Sequence, residues 1–273
     1  MNKIFKHSFI ALSLVLTLGF SACTEEVEYT PASVSTEGVQ AYFYNNAQTS
    51  FTLLPDDEQK IQVTISREST GEATVHLSGD NDVFAFPETI NFAGDEKSKA
   101  FDITMNLEIG ESAELTLQIA EEETYEYAPS EITLTVMRDY TWVSAGTASY
   151  TDNSFGLGTG KVPVEQAKEM PNLYRLKNVY QSLAGEGEAG PGSLQFTLDE
   201  NCQAESITPV ATFFDMGVGY WFYYDPAQFA DYCFFTNDGN AFTIGALMSP
   251  DQNSLYIVSD SFVWEGWPGE DAE

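Results

Sequence analysis

Lys60-Ile61-Gln62-Val63-Thr64-Ile65-Ser66 alternates apolar and polar residues without a break. Successive side chains of a strand point to opposite faces, so Ile61, Val63 and Ile65 share one face and Gln62 and Thr64 the other. The pattern recurs with Val75 and Leu77, with Phe101, Ile103 and Met105, with Leu115, Leu117 and Ile119, and with Ile132, Leu134 and Val136. The interleaved residues are mostly Thr, Gln, Glu, Asp and Asn, which suit a wet outer face. Turn residues separate the runs at Pro55-Asp56-Asp57, Ser69-Thr70-Gly71, Gly79-Asp80-Asn81-Asp82 and Gly94-Asp95-Glu96. Residues 39–139 therefore predict a β-sandwich of about seven strands.

Asp139-Tyr140-Thr141-Trp142 marks a boundary where one strand ends and an aromatic-led strand begins. Beyond it, strand patterns cover residues 142–150, 161–165, 173–179, 193–198, 206–212, 220–224, 232–236, 241–247 and 255–263. Residues 164–170 also fit a single helical turn stopped by Pro171, and 185–192 read as a Gly-rich loop. Residues 140–273 thus predict a second antiparallel domain, a β-sandwich or open barrel, and the chain as a whole is all-β.

The 273 residues include 11 Lys and Arg against 42 Asp and Glu, a formal net charge of −31. Such a charge repels phosphate backbones and excludes nucleic acid as a partner. It also disfavours docking on anionic lipid through basic patches. Aromatic and β-branched residues are plentiful, so the chain packs rather than staying disordered.

Chemical motifs fail one by one. Gly185-Glu186-Gly187-Glu188-Ala189-Gly190 has dinucleotide-loop spacing, but it follows no suitable strand, opens no helix and puts glutamates where a pyrophosphate would sit. Gly160-Lys161 lacks the first glycine of a phosphate loop, where Phe155 stands, and the hydroxyl residue, where Val162 stands. Past the first 22 residues His76 is the single histidine; it alternates with Val75 and Leu77 and reads as an outward strand residue. Neither a zinc site nor a Ser-His-Asp triad can be assembled from this set, and no metal or cofactor is assigned.

Aromatic residues crowd residues 213–235. In a strand, Tyr220, Phe222 and Tyr224 face one way and Trp221 and Tyr223 the other, so one side is either core or an exposed platform. An exposed platform of Tyr220, Trp221 and Tyr223, extended by Trp264 and Trp267, would stack on the apolar faces of sugars, with Asp215 and Asp225 accepting hydroxyl hydrogen bonds. Cys202 and Cys233 form an even pair that an oxidising compartment would allow to bridge.

The first 23 residues have three parts. Lys3 and Lys6 lie in a short basic start, residues 8–20 are apolar but too short to span a bilayer, and Ser21-Ala22-Cys23 is a small-small-Cys cleavage site. Removing residues 1–22 makes the chain two units more negative, since they carry two lysines and no acid. Residues 23–38 then read as a tether, acidic at Glu25, Glu26 and Glu28. The segment resembles the lipobox of bacterial lipoproteins, with Phe20 where Leu is usual. That resemblance implies diacylglyceryl attachment to the Cys23 thiol and a membrane partner held through this anchor. The glutamates after it resemble the surface-export signal of Bacteroidota lipoproteins, which implies display on the outer face of the outer membrane.

Val63-Thr64-Ile65-Ser66-Arg67, Gly71-Glu72-Ala73-Thr74-Val75 and Phe86-Pro87-Glu88-Thr89-Ile90-Asn91-Phe92 resemble the Calx-β-like, immunoglobulin-fold modules of Bacteroidota surface lipoproteins. Some relatives bind calcium through loop carboxylates, and Asp80, Asp82, Asp95 and Glu96 stand in loops here, without a defined coordination sphere. Gly146, Tyr150 and Asp152, then Tyr174-Arg175-Leu176-Lys177-Asn178-Val179-Tyr180, resemble the C-terminal halves of the same lipoproteins, to which no activity attaches.

Three functions fit. The first is a non-catalytic, surface-anchored binding module that contacts glycan or another extracellular ligand through the aromatic surface of its second domain. The second is a structural, adhesin or assembly component with an outer-membrane protein partner. The third is a glycoside hydrolase, for which no carboxylate pair stands out among so many acids. Intact-mass measurement of membrane-extracted protein is expected to find acyl additions at Cys23 and none in Cys23→Ser.

Overall fold

The computed structural model describes residues 38–185, 192–208, 221–249 and 256–271. Nine strands form the first half: β1 (Ala41–Phe43), β2 (Ser50–Leu53), β3 (Lys60–Arg67), β4 (Ala73–Gly79), β5 (Phe84–Ala85), β6 (Thr89–Phe92), β7 (Ser98–Met105), β8 (Ser112–Ile119) and β9 (Glu131–Arg138). They make a four-stranded sheet in the order β1-β3-β7-β5 and a five-stranded sheet in the order β2-β9-β8-β4-β6. Pairing is antiparallel except between β2 and β9, which run parallel with Ser50 opposite Thr135 and Leu53 opposite Arg138. Register puts Ile61 across from Ile103 and Val63 across from Phe101. The apolar positions read from the alternation are all buried, with Ile65, Ile103, Leu115, Leu117, Leu134 and Val136 fully so. Their mutual burial is the main stabilising term here, at about 25 cal/mol for each Å² of apolar surface removed from water.

The second half continues with β10 (Trp142–Asp152), β11 (Gly158–Ala167), β12 (Leu173–Leu176), a short helix Val179–Ala184, β13 (Leu194–Leu198), β14 (Ala204–Ile207), β15 (Trp221–Tyr223), β16 (Phe234–Asp238), β17 (Ala241–Ser249) and β18 (Tyr256–Glu265). These strands form one nine-stranded antiparallel sheet, ordered β14-β13-β12-β11-β10-β18-β17-β15, with β16 also paired to β17. The sheet curls into a near-barrel. Its β14 end comes round to β16, where the Ala204 N–H donates to Asn237 Oδ1 at 2.8 Å. Of the two forms open from sequence, it is the barrel-like one.

Aromatic residues fill the interior of this sheet. Phe242 and Phe262 stack at 4.7 Å and 2°, and Trp264 meets Tyr174 edge-on at 4.9 Å. The two hydrophobic cores are separate clusters, one drawn from β1 to β9 and their loops and one from β10 onward.

Two local readings are corrected. Residues 164–167 extend β11 rather than forming a helical turn, because Val164 and Gln166 pair with Leu176 and Tyr174. The helical turn comes later, at residues read as the end of a strand. Asn178 adopts a left-handed conformation (φ 49°), which stops β12 and starts Val179–Ala184. Val179 and Tyr180 are then buried, and a Leu183 methyl lies against Gly160, where an added Cβ would push it aside.

At the junction, the Trp142 indole donates to Asp139 Oδ1 at 2.9 Å, and the Arg175 guanidinium lies 4.2 Å from the centre of the Trp142 ring. Arg175 also pairs with Glu165 at 2.6 Å, and Lys177 with the same carboxylate at 3.0 Å. Burial alone would raise the Glu165 carboxyl, but Lys177 and Arg175 hold it below the usual range.

A bulge interrupts β10 between Ser144 and Thr147, where Gly146 sits at φ +107° against the Glu265 carbonyl. Any Cβ at Gly146 would collide with that carbonyl oxygen. Gly146→Ala is expected to cost about 1–3 kcal/mol from backbone strain, and more from the collision, read as a lower urea midpoint.

Candidate functional site

The most concentrated polar group in the described residues is inside the near-barrel. Asp260 on β18 is completely buried, as are Tyr150 on β10 and, within 1%, Tyr180 on the short helix. Along β18, Val258, Asp260, Phe262 and Trp264 share the inward face, so the alternation that buries three apolar residues carries one carboxylate in with them. Four donors satisfy it. Tyr150 hydroxyl (2.8 Å) and Tyr180 hydroxyl (3.2 Å) donate to Oδ2. The Asn153 N–H (2.9 Å) and Ser154 hydroxyl (2.8 Å) donate to Oδ1.

Asp152, 3% exposed, sits nearby and is satisfied separately by the backbone N–H groups of Ser154, Phe155 and Leu157 at 2.9, 3.0 and 2.7 Å. Burial raises the Asp260 carboxyl above its usual range despite these donors. Burial, reinforced by Asp260, likewise keeps the Tyr150 hydroxyl protonated well beyond the ordinary phenol range. Burial next to Tyr150 and Asp260 does the same for Tyr180. The arrangement is an internal lock in which both carboxylates accept from donors of the chain itself.

Of the candidate platform residues, Trp264 and Trp267 turn to the core. Trp264 is fully buried, its indole donating to the Ala145 carbonyl at 2.8 Å, and it is corrected from surface to core. The physical reason is parity: Trp264 follows Phe262 by two positions on β18. Trp267 packs against the same core and donates to the Cys202 carbonyl at 3.1 Å. Trp221 and Tyr223 lie on β15, paired with Ser249 and Leu247. Tyr220 lies outside the described residues, as do Asp215 and Cys23.

The expected bridge between Cys202 and Cys233 is not formed. Cys202 occupies the turn before β14 in a left-handed conformation (φ 60°) and lies near the Tyr174 hydroxyl. Cys233 is 2% exposed and lies near Tyr224.

His76 is more engaged than an outward strand residue need be. Its Nδ1 and backbone N–H both meet the Glu123 carboxylate, each at 2.6 Å. The loop carboxylates Asp80 and Asp82 stand at one end of β4 and Asp95 and Glu96 at the other, about 20 Å apart along a seven-residue strand. Among the described residues no three His, Cys, Asp or Glu gather to hold a metal.

No protein-family model and no curated protein matches this chain. Solved structures do resemble it. A protein of unknown function from Bacteroides ovatus is 11% identical with a TM-score of 0.39, covering 82% of this chain and 89% of that one. A multidomain protein including DUF1735, also from Bacteroides ovatus, is 10% identical with a TM-score of 0.36, covering 82% and 92%. CBD12 from CALX1.2 is 13% identical with a TM-score of 0.32, covering 82% and 76%. None of the three assigns a residue or a ligand to this chain.

The buried carboxylate has a pH signature. Because folding raises the Asp260 pKa, its contribution to stability is full below the usual Asp value of 3.8 and is lost as pH rises through the raised folded value. Chemical denaturation between pH 3 and 8 is expected to show that decline in the wild type relative to Asp260→Asn, which removes the titrating group.

Proposed function

We propose that this protein is a lipid-anchored binding module, displayed on the outer-membrane surface and without catalytic activity, that holds neutral glycan on the aromatic edge of its nine-stranded sheet. The observation that carries this reading is the placement of β15. It is the last strand of the sheet, its Trp221 and Tyr223 pair with Ser249 and Leu247 of β17, and on β18, the strand beyond β17, Tyr256 and Ile257 are 55% and 58% exposed. Aromatic residues on an edge strand suit the C–H faces of pyranose rings. The strongly negative chain selects against acidic sugars.

Absence of catalysis is supported by what the carboxylates do. Asp152 and Asp260, neighbouring carboxylates in the second half, are buried and hydrogen-bonded to donors from the chain itself. A glycosidase needs two carboxyls on either side of a reachable cleft. Anchoring rests on Cys23 and the acidic run that follows it.

Binding to an array of neutral glycans is the test. At least one neutral glycan should be retained by the wild type and lost or weakened about tenfold in Trp221→Ala, the effect of one stacking contact. Silence across the array would sink the reading.

A further inference from the structure

Two short sequence repeats lie outside the reading above: Tyr42-Phe43-Tyr44 and Tyr125-Glu126-Tyr127. The fold lays them side by side. Ala41 bridges Thr124 in parallel, and the Tyr125 N–H donates to the Ala41 carbonyl at 2.9 Å. Tyr42 lies on β1 with Tyr44 just past its end, and Tyr125 to Tyr127 turn back at the bond from the Ala128 N–H to the Tyr125 carbonyl. The result is a continuous run of rings. Tyr44 meets Tyr42 at 5.7 Å, Tyr42 meets Tyr125 at 5.5 Å, and Tyr125 meets Tyr127 at 5.6 Å.

The run is not a core element. Its outer members, Tyr44 and Tyr127, are 45% and 52% exposed, the reverse of what packing alone would favour. Tyr42 is tied down beneath them, its hydroxyl donating to Glu68 Oε1 at 3.0 Å. Burial and Glu68 push the Tyr42 pKa up to about 12, so this hydroxyl stays a donor across the physiological range. Phe43, between Tyr42 and Tyr44, is fully buried and fixes the strand from below. The strip is therefore preorganised: its inner rings and backbone are held, and its outer rings are offered to solvent.

We infer that the strip Tyr44–Tyr42–Tyr125–Tyr127 is a subsite for a neutral glycan chain. The inference rests on the binding-module reading and moves a contact to the first sandwich. Steep inclinations between neighbours, 86° for Tyr42–Tyr44 and 67° for Tyr125–Tyr127, make a series of separate platforms. Successive sugars can each rest on one ring while hydroxyls reach the phenol rims and the Glu68 carboxylate. A polyproline segment instead fits a groove between rings. Anionic chains are repelled by the net charge of −31.

The test uses the full chain in affinity electrophoresis with galactomannan, xyloglucan and dextran as neutral probes, polygalacturonate as the acidic probe, and a proline-rich peptide as competitor. A neutral polymer should retard the protein and polygalacturonate should not. Tyr44→Ala/Tyr127→Ala should weaken retardation about tenfold, and Tyr44→Phe/Tyr127→Phe should keep most of it. On the unmodified chain, the bound polymer should protect Tyr44 and Tyr127 from nitration by tetranitromethane, read by peptide mass, which stands even if the alanine variant misfolds. Retardation that survives Tyr44→Ala/Tyr127→Ala but disappears in Trp221→Ala overturns the subsite and leaves the binding module intact. No retardation by any neutral polymer overturns both. Capture of the proline-rich peptide alone, or unprotected tyrosines in the presence of a retarding polymer, overturns the subsite.

Discussion

One buried carboxylate holds the second half of this protein together. Asp260 takes hydrogen bonds from β10, from the loop that follows it and from the short helix, groups 110, 107, 106 and 80 positions away in sequence. Burying a charged group costs several kcal/mol unless every lone pair finds a donor. That requirement explains features that look unrelated. The loop after β10 must turn so that Asn153 and Ser154 reach inward, and Asp152 turns it by collecting three backbone N–H groups. The chain after β12 must form a helical turn, because only there does Tyr180 arrive beside Tyr150. Gly160 leaves space on β11 that the Leu183 side chain of the same turn occupies.

The acidic surface has a second structural partner in the junction between the two cores. Cations are scarce, and three of them are spent here. Arg138 donates to the Leu107 and Pro55 carbonyls at 2.9 Å each, while Arg175 and Lys177 share Glu165. Tyr140 closes over Gly110, leaving no room for a side chain there. In a chain of strongly negative charge, the junction thus holds one shared carboxylate between two cations, Arg175 and Lys177.

Much of the first sandwich was legible because its strands are amphipathic: each buried residue is flanked by polar ones, and the period alone assigns the face. The second sheet was harder because its interior tolerates polar groups. Asp260 breaks the apolar run of β18, so the strand seemed to stop at Val263 and Trp264 passed for a surface residue. Continuing the same alternation through Asp260 places Trp264 inside. The short helix was missed because Val179 and Tyr180 are good strand residues, and only the left-handed Asn178 diverts the chain. The tyrosine strip left a local trace in its two Tyr-x-Tyr repeats, but their meeting depends on a parallel bridge across more than eighty positions, which no local pattern reports.

The parallel pairing of β2 with β9 also sets how the first sandwich answers a pull. The chain enters through β1, antiparallel to β3 with a single parallel bridge to Thr124, and then through β2, which runs parallel to β9, the strand by which it leaves. Tension between entry and exit therefore slides these neighbours along one another. Their hydrogen bonds are loaded in shear and must fail together, whereas an antiparallel hairpin at the same place would open like a zipper, one bond at a time. A sandwich so connected resists stretching along its chain more than its modest strand lengths suggest.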